Sequence, residues 1–254
     1  MVRRANALWS LLQGQTVYSF QGRTVSTVAG TGDVAARVIA LSRLLGFASC
    51  HFVPRNQAAE LSEAFVAAGL RTAQWDQYWG RESALTQARA FLRSYDPGSG
   101  LRLNTVQPDT PDEVIRAIGE MSVRSGVLPP PGSAMRGHGP KGVILYVTTD
   151  DGRIVASGGG FMTYHPDGPR PDEAFWGMLA TDPDWRGQRL ACWVGAQAII
   201  DMNERFGARG FSSGVKADNP SSQAMCTRLG VVRSEFVYAG ATDPTLVGDG
   251  PVTR

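Results

Sequence analysis

Apolar and polar positions along this chain follow two periods in turn, and each change of period marks an element. Residues 101–106, Leu-Arg-Leu-Asn-Thr-Val, alternate with the two-residue period of a strand. Thr110-Pro-Asp-Glu113 then offers an N-cap, a proline at the first helical position and a capping-box glutamate, and Val114, Ile118 and Met121 continue at helical spacing. After a Pro/Gly-rich loop over 129–140, the apolar runs 143–149 and 154–164 flank Asp150-Asp-Gly152, which predicts a hairpin of antiparallel strands. The pattern goes on to predict a strand over 174–181, a helix over 189–206 stopped by Gly207, and a strand over 211–215. A short helix over 220–229 and a last strand over 231–238 complete it.

The stretch Tyr95-Asp-Pro-Gly-Ser-Gly100 collects turn residues and predicts a boundary between a domain of residues 1–95 and one of 101–239. From Gly240 the chain is rich in Gly, Pro and Asp, which predicts a flexible tail over 240–254. The first part reads as helix, strand ending near Asn56, helix over 58–68, Gly69-Leu70 and a strand-like 74–79. That order repeats the one from 189 to 238. The fold class expected is α+β: a mixed, mainly antiparallel central sheet flanked by helices.

Composition narrows the function. The 254 residues are 43% hydrophobic and 19% charged, as in ordinary globular proteins, and the net charge of +2 leaves no nucleic-acid footprint. No apolar run approaches the ~20 residues of a membrane span, so neither nucleic acid nor membrane is an expected partner. Three widely spaced cysteines, Cys50, Cys192 and Cys226, give neither a disulfide framework nor a metal-ligand spacing. The expectation is a cytoplasmic protein without metal, a monomer or homodimer.

The stretch carrying chemistry is Leu179-Ala-Thr-Asp-Pro-Asp-Trp-Arg-Gly-Gln-Arg-Leu-Ala191, between a predicted strand and a helix. A tight basic loop opening a helix points backbone N–H groups and the positive end of the helix dipole at one spot. Such a site suits a phosphate-containing ligand. With Asn219-Pro-Ser-Ser222 and Leu229-Gly230-Val231 about thirty residues on, the stretch resembles the signature of the GNAT superfamily of N-acetyltransferases.

The resemblance, covering residues 101–239, implies the acyl-CoA N-acyltransferase fold and transfer of an acetyl group from acetyl-CoA to the amine of a small molecule or peptide. It implies that Leu179, Ala180 and Thr181 offer backbone to the cofactor. Arg186, Gly187, Gln188, Arg189, Leu190 and Ala191 would cradle its pyrophosphate, while Asn219 and Ser222 line its far side. The N-terminal part is then expected as a degenerate half of the same fold. Two positions depart from the family pattern. Arg189 stands where the family has a glycine, so the loop either changes shape or uses the arginine on a phosphate. Cys226 stands where the family usually has a tyrosine acid, and is either that acid or a small buried hydrophobe.

Glu173 is the expected base, the other reading being that it caps a loop. Tyr164 and Tyr238 are further possible proton donors. His51, His138 and His165 show no partner spacing and read as surface or loop histidines. Two other functions are compatible with the sequence: an acyl-CoA-binding sensor with weak catalysis, and an NAD-linked enzyme using Gly30-x-Gly32-x-x-Ala35.

Overall fold

A computed structural model describes residues 2–30 and 32–247. The chain begins with helix α1 (Val2–Leu12), followed by strands β1 (Tyr18–Phe20) and β2 (Val25–Val28), α2 (Val34–Leu45) and β3 (Phe47–Pro54). Next come α3 (Ala58–Ala67), β4 (Arg71–Gly80) and α4 (Glu82–Ser94). After the Asp96–Gly100 link follow β5 (Leu101–Thr105), α5 (Asp112–Arg124), the short α6 (Gly132–Met135), β6 (Gly142–Thr149), β7 (Ile154–Met162) and β8 (Glu173–Thr181). The chain ends with α7 (Leu190–Phe206), β9 (Gly210–Val215), α8 (Pro220–Arg228) and β10 (Val232–Thr242).

The ten strands of the described residues join one mixed sheet, in the order β1-β2-β3-β10-β4-β9-β8-β7-β6-β5. Two pairs in it, β2 with β3 and β8 with β9, are parallel. The others are antiparallel. Around each parallel pair the same series recurs: strand, helix, parallel strand, helix, strand, once from β2 to β4 and once from β8 to β10. The final strands of the two series change places. β4 lies against β9 of the second series and β10 against β3 of the first, and the two pair with each other at the centre. Neither half therefore completes its sheet from its own residues.

Burial follows this plan. One apolar core lies under α4 and α7, around Trp176, Ile199, Met202, Phe211 and Leu229. A second, around Val38, Leu41, Phe65 and Val237, lies under α1, α2 and α3, and a third packs α5 on the opposite face around Ile118, Met121 and Phe161. No described helix is long and apolar enough to cross a membrane. The three cysteines are free and buried.

Two local expectations fail. Thr110 does not cap α5: its Oγ1 accepts from the N–H of Gln107 at 2.7 Å, and the helix starts after Pro111. The chain from Gly240 is not a loose tail as far as it is described, because its small residues suit a crowded central strand. Gly240, Ala241 and Thr242 continue β10, with Ala241 buried, and the buried Asp243 ties the turn after them to Arg43 at 2.7 Å and to Thr245. Residues 248–254 of that expected tail lie outside the described residues.

Candidate functional site

β8 and β9 pair only over Glu173–Phe175 against Gly210–Ser212, and beyond Phe175 they part. A bulge in β8 sits at the divergence: Met178 and Leu179 together face Gly158 of β7. Gly177 and Met178 take positive φ values of 151° and 54°. A Cβ at position 158 would lie 2.3 Å from Leu179 Cδ2 and 3.2 Å from Leu179 Cα, so glycine lets the bulge close on β7 without displacing the leucine. Past the bulge, the edge of β8 that faces β9 is left without a strand partner.

A cavity of about 210 Å³ lies at this opening. Phe175, Gly177, Met178 and Leu179 line it from β8, and Ser213, Gly214 and Val215 from β9. Lys216, Asn219, Ser222, Met225 and Cys226 close one side. Gln21, Arg23, Thr24, Phe47, Ser49, His51 and Trp75 reach it from the N-terminal half, and Tyr238 from β10.

At the C-terminal end of β8 the chain enters the basic loop. Asp182 anchors it: the side chain is buried, pairs with Arg153 at 3.1 Å and Arg124 at 3.5 Å, and accepts from the N–H of Asp184 at 3.2 Å. The loop then turns through Gly187 at φ 84° and Arg189 at φ 62° and ψ 21°. The backbone thus keeps a left-handed residue where the family has glycine, instead of changing shape around the arginine. No side chain caps α7, so the first N–H groups of the helix face outward unpaired. Arg186 and Arg189 are exposed and make no ion pair among the described residues. Tyr95 OH holds the loop from behind through the carbonyl of Gln188 at 2.8 Å.

The equivalent helix of the first series is closed to anions. Asp33 caps α2, its carboxylate accepting from the N–H of Ala36 at 2.9 Å, and occupies the place a pyrophosphate would take. A carboxylate at this helix start disfavours the anion that the dinucleotide reading of Gly30-x-Gly32 requires.

A polar cluster sits where the two halves meet. In β3, His51 and Phe52 together face Tyr238 of β10, a second bulge in which Phe52 takes φ 58° and Gln77 Oε1 accepts its N–H at 2.9 Å. The bulge lays the His51 ring on Tyr238 with centroids 4.4 Å apart. His51 Nδ1 lies 3.0 Å from Tyr164 OH, and Nε2 lies 3.2 Å from Ser49 Oγ and 3.3 Å from Gln21 Nε2. Since Gln21 Nε2 can only donate, His51 Nε2 accepts and Nδ1 carries the proton toward Tyr164. Tyr238 OH in turn lies 3.0 Å from Ser212 Oγ. Burial pushes His51 down to about 3 and raises Tyr164 and Tyr238 above the ordinary phenol value, so all three are neutral near pH 7.

The structure separates the expected site residues. Leu179, Asn219, Ser222 and Cys226 line the cavity. Asn219 also caps α8, its Oδ1 accepting from the N–H of Ser222 at 3.1 Å. The side chains of Ala180 and Leu190 are buried in separate cores, so these residues can offer only backbone, while Thr181, Ala191 and the exposed Arg186, Gly187, Gln188 and Arg189 frame the loop. Glu173 does not reach the cavity. Its carboxylate is buried against Arg81 Nη1 at 2.5 Å and Trp79 Nε1 at 2.9 Å, a bridge from β8 to the end of β4. Burial raises its pKa while Trp79 and Arg81 oppose the rise. Cys226 sits in the wall with its thiol pushed up to about 12 by burial, which makes it a poor acid. His51, taken from sequence as a surface residue, is buried in the cavity wall. Its partner Tyr164 lies 113 residues away, so no sequence spacing could reveal it.

Comparison with known proteins agrees with this geometry. Residues 126–231 match the family model described as acetyltransferase (GNAT) family. A GCN5-related N-acetyltransferase from Kribbella flavida superimposes over 100% of this chain and 98% of its own, at 17% identity and TM-score 0.59. A tandem GNAT protein from the clavulanic acid biosynthesis pathway covers 82% of this chain over 67% of its own, at 16% identity and TM-score 0.51. A Drosophila protein of structural-genomics origin covers 87% over 71%, at 16% identity and TM-score 0.57. These likenesses establish the fold. No curated protein matches the sequence.

Proposed function

We propose, from the match of residues 126–231 to the acetyltransferase (GNAT) family model, that this protein is an acetyl-CoA-dependent N-acetyltransferase acting on the amine of a small molecule or peptide. The observation that carries the proposal is the unpaired edge of β8, which runs from an uncapped, doubly cationic helix start to a bulge at a cavity. The loop residues Arg186–Ala191 hold the pyrophosphate through backbone N–H groups, with Arg186 and Arg189 as charged donors. The backbone of Leu179–Thr181 holds the extended arm as another strand would be held. The N-terminal half acts as a degenerate copy whose own anion site is filled by Asp33 and whose remaining task is to wall the acceptor side.

Acetyl-CoA supplies the acetyl group as a thioester, whose carbonyl carbon the neutral amine attacks. The proton the amine loses equals the one the leaving sulfur gains, so the site needs a path for a proton more than a reservoir of charge. The cavity lining contains no carboxylate. His51 takes the proton at Nε2 and is oriented by Tyr164 through Nδ1, while Tyr238 stacks on its ring and pairs with Ser212.

Release of free thiol across a panel of amines tests the proposal, with wild type compared to His51→Asn. Turnover is expected on at least one amine, with kcat reduced about 10²–10⁴-fold in the variant and acetyl-CoA affinity unchanged. With His51 at about 3, kcat/KM should show no inflection near the ordinary histidine value of ~6.5. Acetyl-CoA binding without turnover on any amine would instead fit a sensor.

A further inference from the structure

The turn that joins β1 to β2, Gln21-Gly22-Arg23-Thr24, reaches from the N-terminal half to the cavity at the opening between β8 and β9. It is closed by a hydrogen bond from the Gln21 N–H to the Thr24 carbonyl at 3.3 Å. Gly22 takes φ 75°, and a Cβ there would lie 3.0 Å from Ala134 Cβ, so the turn is pressed onto α6. What it delivers is the guanidinium of Arg23. Nη1 donates to the Leu128 carbonyl, on the segment that follows α5, and Arg23 makes no ion pair among the described residues. One acceptor leaves four of its five N–H donors unused.

Arg23 and Lys216 bring cationic side chains to the cavity, and its lining holds no Asp or Glu. Desolvation lowers Arg23 to about 10, which still leaves it a full cation at pH 7. Holding a half-buried arginine beside Phe47, Phe175 and Trp75 with no carboxylate in the cavity lining costs free energy that its bond to the Leu128 carbonyl offsets only in part. The cavity thus has the charge of a site completed by an anion. Lys216 follows β9 beside the Asn219 cap, whereas Arg23 belongs to the N-terminal wall with Gln21, Ser49 and His51.

We propose that Arg23 binds the carboxylate of the acceptor, so that the amine acetylated belongs to an amino acid or another small amino-carboxylate and not to a polyamine or an aminoglycoside. This rests on the acetyltransferase reading above for the identity of the amine, but the carboxylate site is tested without it. The planar fork of the guanidinium meets both carboxylate oxygens at once, which fixes the acceptor in orientation as well as in place. Polycationic amines meet two like charges and no counter-charge.

The test uses the N-acetyl derivatives of the twenty common amino acids, as product mimics, each paired with its primary amide. Binding to the full chain is measured by calorimetry, with acetyl-CoA titrated separately. At least one acid is expected to bind about 10- to 100-fold tighter than its amide, the range of a charge-assisted hydrogen bond. Arg23→Gln should abolish that preference with the acetyl-CoA affinity unchanged, and Arg23→Lys should retain part of it. The proposal is overturned if no acid binds, if the amides bind as well, or if Arg23→Gln keeps the preference. The wild-type comparison alone decides the matter should the variants fail to fold. Absence of acetyl-CoA binding would overturn the acetyltransferase reading and leave the carboxylate result standing.

Discussion

Arg189 combines a conformational cost with a charge, and replacing it by glycine separates the two. At φ 62° and ψ 21° it holds a left-handed backbone that costs a non-glycine residue roughly 1–2 kcal/mol. Glycine removes that cost but adds about 0.4–1 kcal/mol of unfolded-chain entropy. The net gain is about 0.5–1 kcal/mol, or a rise in Tm of about 1–4 °C for a chain of this size. The exposed guanidinium has no ion pair within the described chain, so its loss removes nothing else from the fold. The charge belongs to the ligand: without it the acetyl-CoA Kd should rise about 3–10-fold at low salt, a difference that narrows as salt screens the exposed contact. Arg189→Ala is the control, losing the charge and keeping the strain, so that it weakens binding with no gain in Tm. Scanning calorimetry reads the first effect and titration calorimetry the second. A Kd unchanged in Arg189→Gly would refute the phosphate role, and a lower Tm would refute the strain.

Three further outcomes follow from side chains described above. Glu173→Gln should lower stability by about 1 kcal/mol, because the buried bonds from Arg81 and Trp79 weaken while Arg81 keeps Asp172 at 2.6 Å, and the pH–rate profile keeps its shape; a displaced acid limb would return Glu173 to the chemistry. Cys226→Ala should keep kcat within about twofold and lose about 1 kcal/mol of stability, and a large fall in kcat would show the thiol to be an acid after all. Asp243, depressed to about 2 by its hydrogen bonds from Thr245 and Arg43, contributes stability that is present above its unfolded value of ~3.9 and is lost as pH falls through 2. In acid titrations the advantage of wild type over Asp243→Asn should therefore shrink between about pH 4 and pH 2; an advantage constant over that range would contradict the assignment.

What the sequence made legible is what local chemistry encodes. The run at 101–106 gave its strand by alternation, the apolar run at 143–149 gave its strand by the hairpin turn beside it, and Gly207 marked the end of α7 because its φ of 72° suits glycine. The basic loop was visible because its residues are contiguous. The exchange of β4 and β10 was not, since a strand's pattern fixes which face is buried but not which neighbour it pairs with. The loose tail was misjudged for the same reason: Gly240 and Ala241 are small because Phe47 and Trp75 crowd β10, not because the chain is free. Arg23 and His51 went unread as site residues because the cavity they line draws on both halves of the chain.

The central claim, an acyl-CoA site between β8 and β9 opening from the start of α7, is met most directly by titration calorimetry of acetyl-CoA into the full chain beside Arg186→Ala/Arg189→Ala. The account predicts one binding site in wild type, with a Kd at least tenfold weaker in the double variant at low salt. No heat of binding up to millimolar acetyl-CoA, or equal affinity in the two proteins, would contradict it.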